Sequence, residues 1–221
     1  AQTNAGAPQI AYRETITREA GAEGKLIKQS GGRGQYGHVV ISVKPRERGQ
    51  GISIDNKIVG GAIPKEYIGA VRKGLEEAFM NGVMAGSEVI DLHVDILDGS
   101  YHEVDSSELA FKLAAMMAAR EALSKADSIL LEPLMNVEVI TPEEFQGDIM
   151  GDINRRRGQI SGMENKSGAC VLNAEVPLAE MFGYVNTLRS LSRGRASYSM
   201  EPARFEQVPG NIIQQLVEQT V

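Results

Sequence analysis

The chain has 221 residues, of which 42% are hydrophobic and 24% charged, and its formal net charge is −6. This composition is typical of a packed globular protein, and the length allows one large domain or two small ones. The apolar run around residues 113–119 is far shorter than the roughly 20 residues that a membrane helix needs. The first residues lack the features of a signal peptide. The surplus of acid argues against a constitutive, tight nucleic-acid binder.

The single cysteine, Cys170, excludes an internal disulfide framework. It lies in an apolar strand pattern, so we expect a buried structural thiol rather than a nucleophile. An unpaired thiol fits a reducing compartment, and the sequence therefore predicts a cytoplasmic protein.

Strands and two helices alternate over residues 8–127, which we predict to be a first domain. Pro64 suits the first turn of a helix, where a missing N–H costs nothing. Asp105 and Glu108 have the spacing of a helix N-cap and its reciprocal partner. The predicted helices cover residues 64–82 and 106–125, and the predicted strands cover residues 9–18, 24–30, 39–43, 52–59 and 89–97.

Residues 129–201 follow the order β-α-β-β-α-β, which is the split βαβ or ferredoxin-like order. We therefore expect a second domain over residues 128–205. Pro209 begins a terminal helix with one apolar face. Because that face must be buried, residues 206–221 are predicted to pack back on the first domain.

A glycine-rich run, Gly-Arg-Gly-Gln-Tyr-Gly at residues 32–37, matches the G-x-G-x-x-G pattern. A dinucleotide site needs a helix after this run, but a β-branched strand follows here. We therefore predict a flexible turn between two strands. Arg33, Gln35, Tyr36 and His38 supply a cation, an amide, a ring and an imidazole, which suit contact with RNA. A plain hairpin loop is the alternative.

A second motif, Asp-Gly-Ser-Tyr-His at residues 98–102, predicts a turn that exposes Tyr101 and His102. Glu103 and Asp105 beside His102 are compatible with acid–base chemistry. The same acids also suit capping of the next helix. With three histidines and one cysteine in the chain, and no spaced set of metal ligands, a zinc site is not expected.

Two stretches are locally basic. Residues 24–46 contain no acid, and Arg155, Arg156 and Arg157 end a predicted helix. Cations at a helix carboxyl end offset its dipole, whereas three in a row also suit a phosphate contact. No segment matches the G-x-x-x-x-G-K-[ST] pattern, so we expect no GTP hydrolysis by that route and no enzyme in this chain.

The chain closely resembles bacterial elongation factor G from about Gln9 to Pro209. The motifs that carry this resemblance include IAYRETIT, KQSGGRGQYGHV, DGSYHEVDSSELAFK, LLEPLMNVEV, TPEEFQGDIMGDINRRRGQISGME and VPLAEMFGYVNTLRS. The resemblance implies a carboxy-terminal fragment of a translational GTPase, comprising the family's fourth and fifth domains. The implied fold is α+β: an elongated α/β-sandwich with a left-handed βαβ crossover, then a ferredoxin-like split βαβ domain and a C-terminal helix.

The resemblance also implies partners. The tip of the fourth domain enters the decoding region of the small ribosomal subunit and promotes movement of tRNA and mRNA from the A site to the P site. The fifth domain contacts the large subunit near its GTPase centre. GTP and Mg²⁺ belong to the amino-terminal domains of the full-length protein, so no cofactor is expected in this chain. We expect a monomer without membrane contact.

Carried over to this sequence, the family pattern gives two RNA-binding tip loops, and His102 matches the tip histidine of the family. Arg155, Arg156 and Arg157 are candidate contacts of the second domain. The candidate tip residues are Arg33, Gly34, Gln35, Tyr36, Gly37, His38, Ser100, Tyr101 and His102.

Two other interpretations stay open. An enzyme that holds a nucleotide in the glycine-rich run requires a helix after that run, whereas the ribosomal interpretation requires a strand. A domain with a purely structural role predicts that the two tip loops lie apart. The paralogue also stays open, because Arg193 and the segment MEPARFEQVP depart from the family pattern, and relatives that recycle ribosomes or displace an antibiotic share the architecture.

Overall fold

A computed structural model describes residues 10–29 and 32–218 of the chain. The chain forms two compact units, which divide between Leu131 and Glu132. The first unit is residues 12–131, and the second contains residues 132–218. Within the described ranges, no helix has the length and apolar character needed to cross a membrane.

The first unit is built around a four-stranded sheet in the order β2-β3-β6-β4. Neighbouring strands are antiparallel except β4 and β6, which are parallel and are joined through helix α1. This is the βαβ crossover that the resemblance implies. The elements are β1 Arg13–Thr15, β2 Ala20–Lys28, β3 Gln35–Pro45, β4 Ser53–Asn56, α1 Lys65–Phe79, β5 Glu88–Val89, β6 Leu92–Ser100 and α2 Glu108–Lys125.

Strand β3 begins earlier than predicted, and β6 ends later. Gln35 pairs with Lys28 of β2, so the second half of the glycine-rich run is strand and not turn. Gly99 pairs with Val39, and the predicted turn at Asp98 and Gly99 is therefore wrong. Both differences arise because pairing with a neighbouring strand overrides the local turn preference of glycine.

Two further local predictions in the first unit are corrected. The N-cap of α2 is Ser107, whose side chain accepts a hydrogen bond from the Ala110 N–H, and not Asp105. The predicted strand over residues 89–97 is broken at Asp91, which has a φ of 59° and is buried. Its carboxylate accepts hydrogen bonds from the backbone N–H groups of Gly49 and Gly51 at 3.1 and 2.8 Å, so a tertiary contact holds the break in place.

Helix α2 packs unusually close to the sheet. Its buried face is a ladder of alanines, and Ala110 and Ala114 lie over glycines of β3 and β2. A Cβ added at Gly37 would lie 2.5 Å from the Ala110 oxygen, and one added at Gly24 would lie 2.7 Å from the Ala118 nitrogen. These glycines therefore serve close packing of helix on sheet, where no side chain fits.

The second unit has the sheet order β8-β9-β7-β10, which is the ferredoxin-like order. Its first strand, β7, begins inside the first unit, where residues 129–131 pair with β1, and residues 134–142 pair with β9. A short 3₁₀ turn precedes each of the two sheet-packing helices. The elements are β7 Ile129–Pro142, α3 Gln146–Arg155, β8 Gln159–Lys166, β9 Ala169–Pro177, α4 Tyr184–Leu191, β10 Ser197–Gln207 and α5 Gly210–Glu218.

The core of the second unit lies between its sheet and helices α3 and α4. Cys170 is fully buried there, and burial raises the pKa of its thiol, as expected of a structural cysteine. These elements confirm the α+β class. The terminal helix α5 exists as predicted, and its packing on the first domain stays a prediction. The predicted elements at residues 9, 30 and 219–221 lie outside the described residues.

The close approach of α2 generates a first prediction. Gly24→Ala should lower the free energy of unfolding by about 2–3 kcal/mol, in the upper part of the usual 1–3 kcal/mol for overpacking, because the added Cβ would meet backbone atoms of α2. Gly21 lies in the same strand, and its added Cβ would meet nothing nearer than the Ile41 oxygen at 3.8 Å. Gly21→Ala is therefore the matched control and should change stability by less than about 0.5 kcal/mol. Urea unfolding followed by circular dichroism measures both, and equal midpoints would contradict this packing argument.

Candidate nucleic-acid interface

Two loops of the first unit lie side by side at one end of its sheet. The first loop joins β2 to β3 and is described at residues 29 and 32–34, and the second, residues 101–107, joins β6 to α2. The Tyr36 N–H donates to the Asp105 oxygen at 2.9 Å, and the Arg33 Nε donates to the Val104 oxygen at 3.3 Å. We call residues 32–38 and 100–107 together the paired loops.

The rings of Tyr36 and His102 stack across the paired loops. Their centroids are 3.8 Å apart and their planes differ by 8°. Tyr36 is only 7% exposed, whereas His102 is exposed. Tyr36 therefore does not offer a free ring to a ligand, contrary to the prediction from sequence. It instead supports the His102 ring from beneath and limits the directions that the imidazole can face.

Ser106 fastens the two loops through its hydroxyl group. Its Oγ donates to the Tyr36 oxygen at 3.0 Å and accepts from the His102 N–H at 2.9 Å. The residue is buried, so water competes little for the atoms that form these bonds. Sequence reasoning missed this role, because a serine before a helix signals a cap and not a contact with a strand 70 residues earlier.

A chain of hydrogen bonds connects the paired loops to the neighbouring strand β2. The Tyr36 hydroxyl bonds to Ser100 Oγ at 2.6 Å, Ser100 Oγ bonds to His38 Nδ1 at 2.8 Å, and His38 Nε2 bonds to Glu23 at 2.9 Å. The hydrogen bond and charge of His38 lower the pKa of the Glu23 carboxyl. Both nitrogens of His38 are therefore engaged inside the protein.

The structure thus brings all nine predicted tip residues to one place but divides them by role. Gly37 is buried against α2, and the hydrogen-bonding side chains of Tyr36, His38 and Ser100 form the support. Arg33, Tyr101 and His102 are exposed, while Gly34 and Gln35 are half-buried.

Cations, acids and an apolar side chain are exposed around the paired loops, and Glu103 is the exposed acid within them. Lys25 and Lys28 are exposed on the adjacent strand, and Lys25 Nζ lies 6.0 Å from the centre of the Tyr36 ring. Val104 is 68% exposed. Cations, stackable rings and apolar contact are the features with which proteins bind irregular RNA. The glycine-rich run leads into a strand and not a helix, so the geometry of a dinucleotide site is not met.

The arginine triplet of the second unit lies at the end of α3, and two of its members are used within the fold. Arg156 bonds to Asp152 at 2.9 Å and to the Glu180 backbone oxygen, and it lies 5.0 Å above the Tyr184 ring. Its side chain therefore ties α3 to the start of α4.

Arg157 forms a partly buried, bidentate ion pair with Glu132, with N–O distances of 2.8 and 3.0 Å, and it also contacts Glu180. These bonds raise the pKa of the guanidinium. They also hold Arg157 at a φ of 57°, the position after a helix where glycine is usual. Arg155 differs, because its side chain is 75% exposed and faces solvent.

An α+β chain with a βαβ crossover, a ferredoxin-like second unit and two adjoining loops at one end of the first sheet is the architecture of the carboxy-terminal domains of a translation factor. The family model described as elongation factor G, domain IV, matches residues 8–127, and that described as elongation factor G C-terminus matches residues 129–216. The chain belongs to the elongation factor G family.

The chain is also similar to a protein of Thermus thermophilus whose crystal structure is known. The two are 40% identical in sequence, with a TM-score of 0.87. The similarity covers 97% of this chain and 32% of that protein. The chain therefore spans about a third of the length of this relative.

The ion pair of Arg157 generates a second prediction. Glu132→Gln should lower the free energy of unfolding by about 2–3 kcal/mol, because it leaves a guanidinium short of its main partner; the usual cost of 3–5 kcal/mol is reduced by the partial exposure of Arg157. Arg155→Ala, two residues from Arg157, is the control and should change it by less than about 0.5 kcal/mol. Chemical unfolding measures both, and a silent Glu132→Gln would show that the pair contributes nothing net.

Tyr184 generates a third prediction. Its buried hydroxyl has no hydrogen-bond partner among the described residues, and burial, aided by Asp152, raises the pKa of the phenol to about 12. The folded chain thus holds this proton more tightly than the unfolded chain, whose tyrosine has a pKa near 10. Rising pH therefore lowers the free energy of unfolding between about pH 10 and 12, by up to roughly 2.7 kcal/mol.

Tyr184→Phe should remove this alkaline loss and be neutral or stabilising near pH 7, since no partner is left unsatisfied. Free energies of unfolding measured across the alkaline range test the expectation. Tyr101→Phe, at an exposed tyrosine, should leave the pH profile as it is in the wild type. If the profiles of Tyr184→Phe and the wild type coincide, the raised pKa is wrong.

Proposed function

We propose that this chain is the ribosome-binding portion of an elongation factor that promotes translocation of tRNA and mRNA from the A site to the P site. In this proposal the paired loops enter the decoding region of the small subunit. The observation that carries it is the Tyr36–His102 stack, which presents an exposed imidazole on a support held by strands and by a buried serine. Family membership supports the class of partner.

The distribution of charge also supports a transient RNA contact. The chain as a whole is acidic, with a net charge of −6, while the first loop and β2 are locally cationic. Contacts with phosphate give an affinity that decreases as the salt concentration rises. Surplus negative charge elsewhere opposes adhesion to RNA in general. Such a protein is suited to bind one RNA surface and then leave it.

The mechanism that we infer is steric. The paired loops would occupy the vacated A site and oppose the return of tRNA and mRNA. Thermal motion of the two RNAs would then lead to net movement in one direction, and this chain would catalyse no reaction. The paired loops must be rigid for this, because a flexible loop could be displaced by the returning tRNA. The engagement of Tyr36, Ser100, His38 and Ser106 within the fold supplies that rigidity.

We infer a second contact with the large subunit near its GTPase centre. Of the arginine triplet, the exposed Arg155 is the member available for phosphate, while Arg156 and Arg157 shape the end of α3. GTP and Mg²⁺ would bind in another part of the full-length protein. The glycine-rich run does not fit a nucleotide, since it leads into a strand and offers no helix N-terminus.

A fourth prediction tests the role of His102 in the full-length factor. His102→Ala should slow single-round translocation about 10- to 100-fold, the equivalent of one lost stacking contact of about 1–3 kcal/mol. Ribosome-stimulated GTP hydrolysis should stay unchanged, because the tip is not part of that site. Glu76→Ala, at an exposed acid of α1 outside the paired loops, is the matched control and should translocate at the normal rate. Translocation at the normal rate by His102→Ala would sink the proposed role.

A further inference from the structure

Four polar side chains form a square on one face of the first unit's sheet, outside the paired loops. Ser53 and Asp55 lie on β4, and His93 and Asp95 lie on the parallel strand β6. Ser53 is directly opposite His93, and Asp55 is directly opposite Asp95. Since residues two apart in a strand share a face, all four side chains project to the same side.

Three of these side chains bring ligand atoms together. His93 Nε2 lies 2.8 Å from Asp95 Oδ1 and 3.7 Å from Asp55 Oδ2, and all three atoms lie within 4.8 Å of one another. A tetrahedral zinc ion with bonds of about 2.0–2.1 Å separates its ligand atoms by about 3.3 Å. The two measured distances from His93 bracket that value, so small side-chain rotations would complete the geometry.

The imidazole is held as a metal-binding histidine usually is. His93 Nδ1 lies 2.5 Å from Ser53 Oγ, and in metal sites the second ring nitrogen typically donates to such an oxygen. Without an ion, Nε2 donates its hydrogen to Asp95 Oδ1 at 2.8 Å. On metal binding Nδ1 would carry the hydrogen and donate to Ser53 Oγ, so that the Nε2 lone pair would face the ion. The His93 side chain is 13% exposed, so its position is fixed by packing.

The two carboxylates also favour a cation. Like charges directly opposite on neighbouring strands repel. Two described cations lie beside the square: Lys57 Nζ is 4.0 Å from Asp55 Oδ2, and the exposed Lys44 is directly opposite His93 on β3. Access is open, because a cavity of about 510 Å³ is lined by Ser53, Asp55 and His93 together with Lys44, Arg46 and Gln50.

We propose that Asp55, His93 and Asp95 bind one divalent transition-metal ion of the zinc class, with water completing the coordination. One imidazole with two carboxylates suits Zn²⁺ better than Mg²⁺ or Ca²⁺, which prefer oxygen alone. The ion would join β4 to β6 near the start of β6, while the paired loops lie at its end. The inference therefore does not depend on the proposed function.

The sequence predicts no metal here, because only two of the ligands, His93 and Asp95, are near each other in the chain, and the third is distant. Asp55 and His93 are 38 residues apart, so only the parallel pairing of β4 and β6 brings them together. The histidine that stands out in the sequence is His102, which lies in a different part of the unit.

The test is calorimetric titration of metal-stripped chain with ZnCl₂. We expect one ion per chain with saturable binding. His93→Gln, Asp95→Asn and Asp55→Asn should each weaken binding at least about tenfold, and Ser53→Ala, which removes only the orienting oxygen, about tenfold. His102→Gln is the matched control, since it removes an exposed histidine that lies outside the square and should leave binding unchanged.

Two results would overturn the proposal. One is the lack of saturable binding up to about 1 mM Zn²⁺, which would mean that a proton on His93 alone bridges the carboxylates. The other is equal affinity in His93→Gln and the wild type, which would place the ion elsewhere. Circular dichroism checks that each variant folds, and Asp55→Asn, at an exposed carboxylate, keeps the test decisive if His93→Gln does not fold.

Discussion

The close contact of helix α2 with the sheet of the first unit is the constraint on which the rest of that unit depends. Ala110 can lie over Gly37 only because neither residue places bulk between helix backbone and strand backbone. The contact fixes where α2 begins. The start of α2 in turn fixes the preceding loop, residues 101–107, against β3. Core packing therefore determines the position of the paired loops, although some of their residues, such as Arg33 and His102, are exposed.

This origin explains why the tip is ordered without being buried. Ser106 sits one residue before the cap of α2, and its hydroxyl bonds to both Tyr36 and His102. Tyr36 is in turn a strand residue, held by ladder pairing with β2. His102 is consequently exposed to a partner yet supported on one side by a ring and on the other by its backbone bond. Such order would suit the transient RNA contact that we propose, because little conformational entropy would remain to be lost on binding.

The second unit uses arginine in two different ways within three residues. Arg156 and Arg157 turn inward to acids and a ring, where their charges are neutralised by fixed partners. Arg155 points outward. The ion pairs of Arg157 hold this non-glycine residue in the left-handed conformation after α3. The next residue, Gly158, must be glycine because a Cβ there would clash with Ile153. Charge count in a basic run is therefore a poor guide to how many cations a partner meets.

The sequence by itself determined the α+β class, the order of elements in both units and the family, because hydrophobic periodicity, caps and long ordered motifs are local signals. It also predicted that Tyr101 and His102 are exposed, as they are. Only the tertiary structure decided that Tyr36 is a buried support, that Gly37 serves helix packing, that Arg156 and Arg157 are engaged internally, and that Asp55 meets His93. Each of these depends on which segments lie opposite one another, and strand register and helix contact join residues that no local pattern connects.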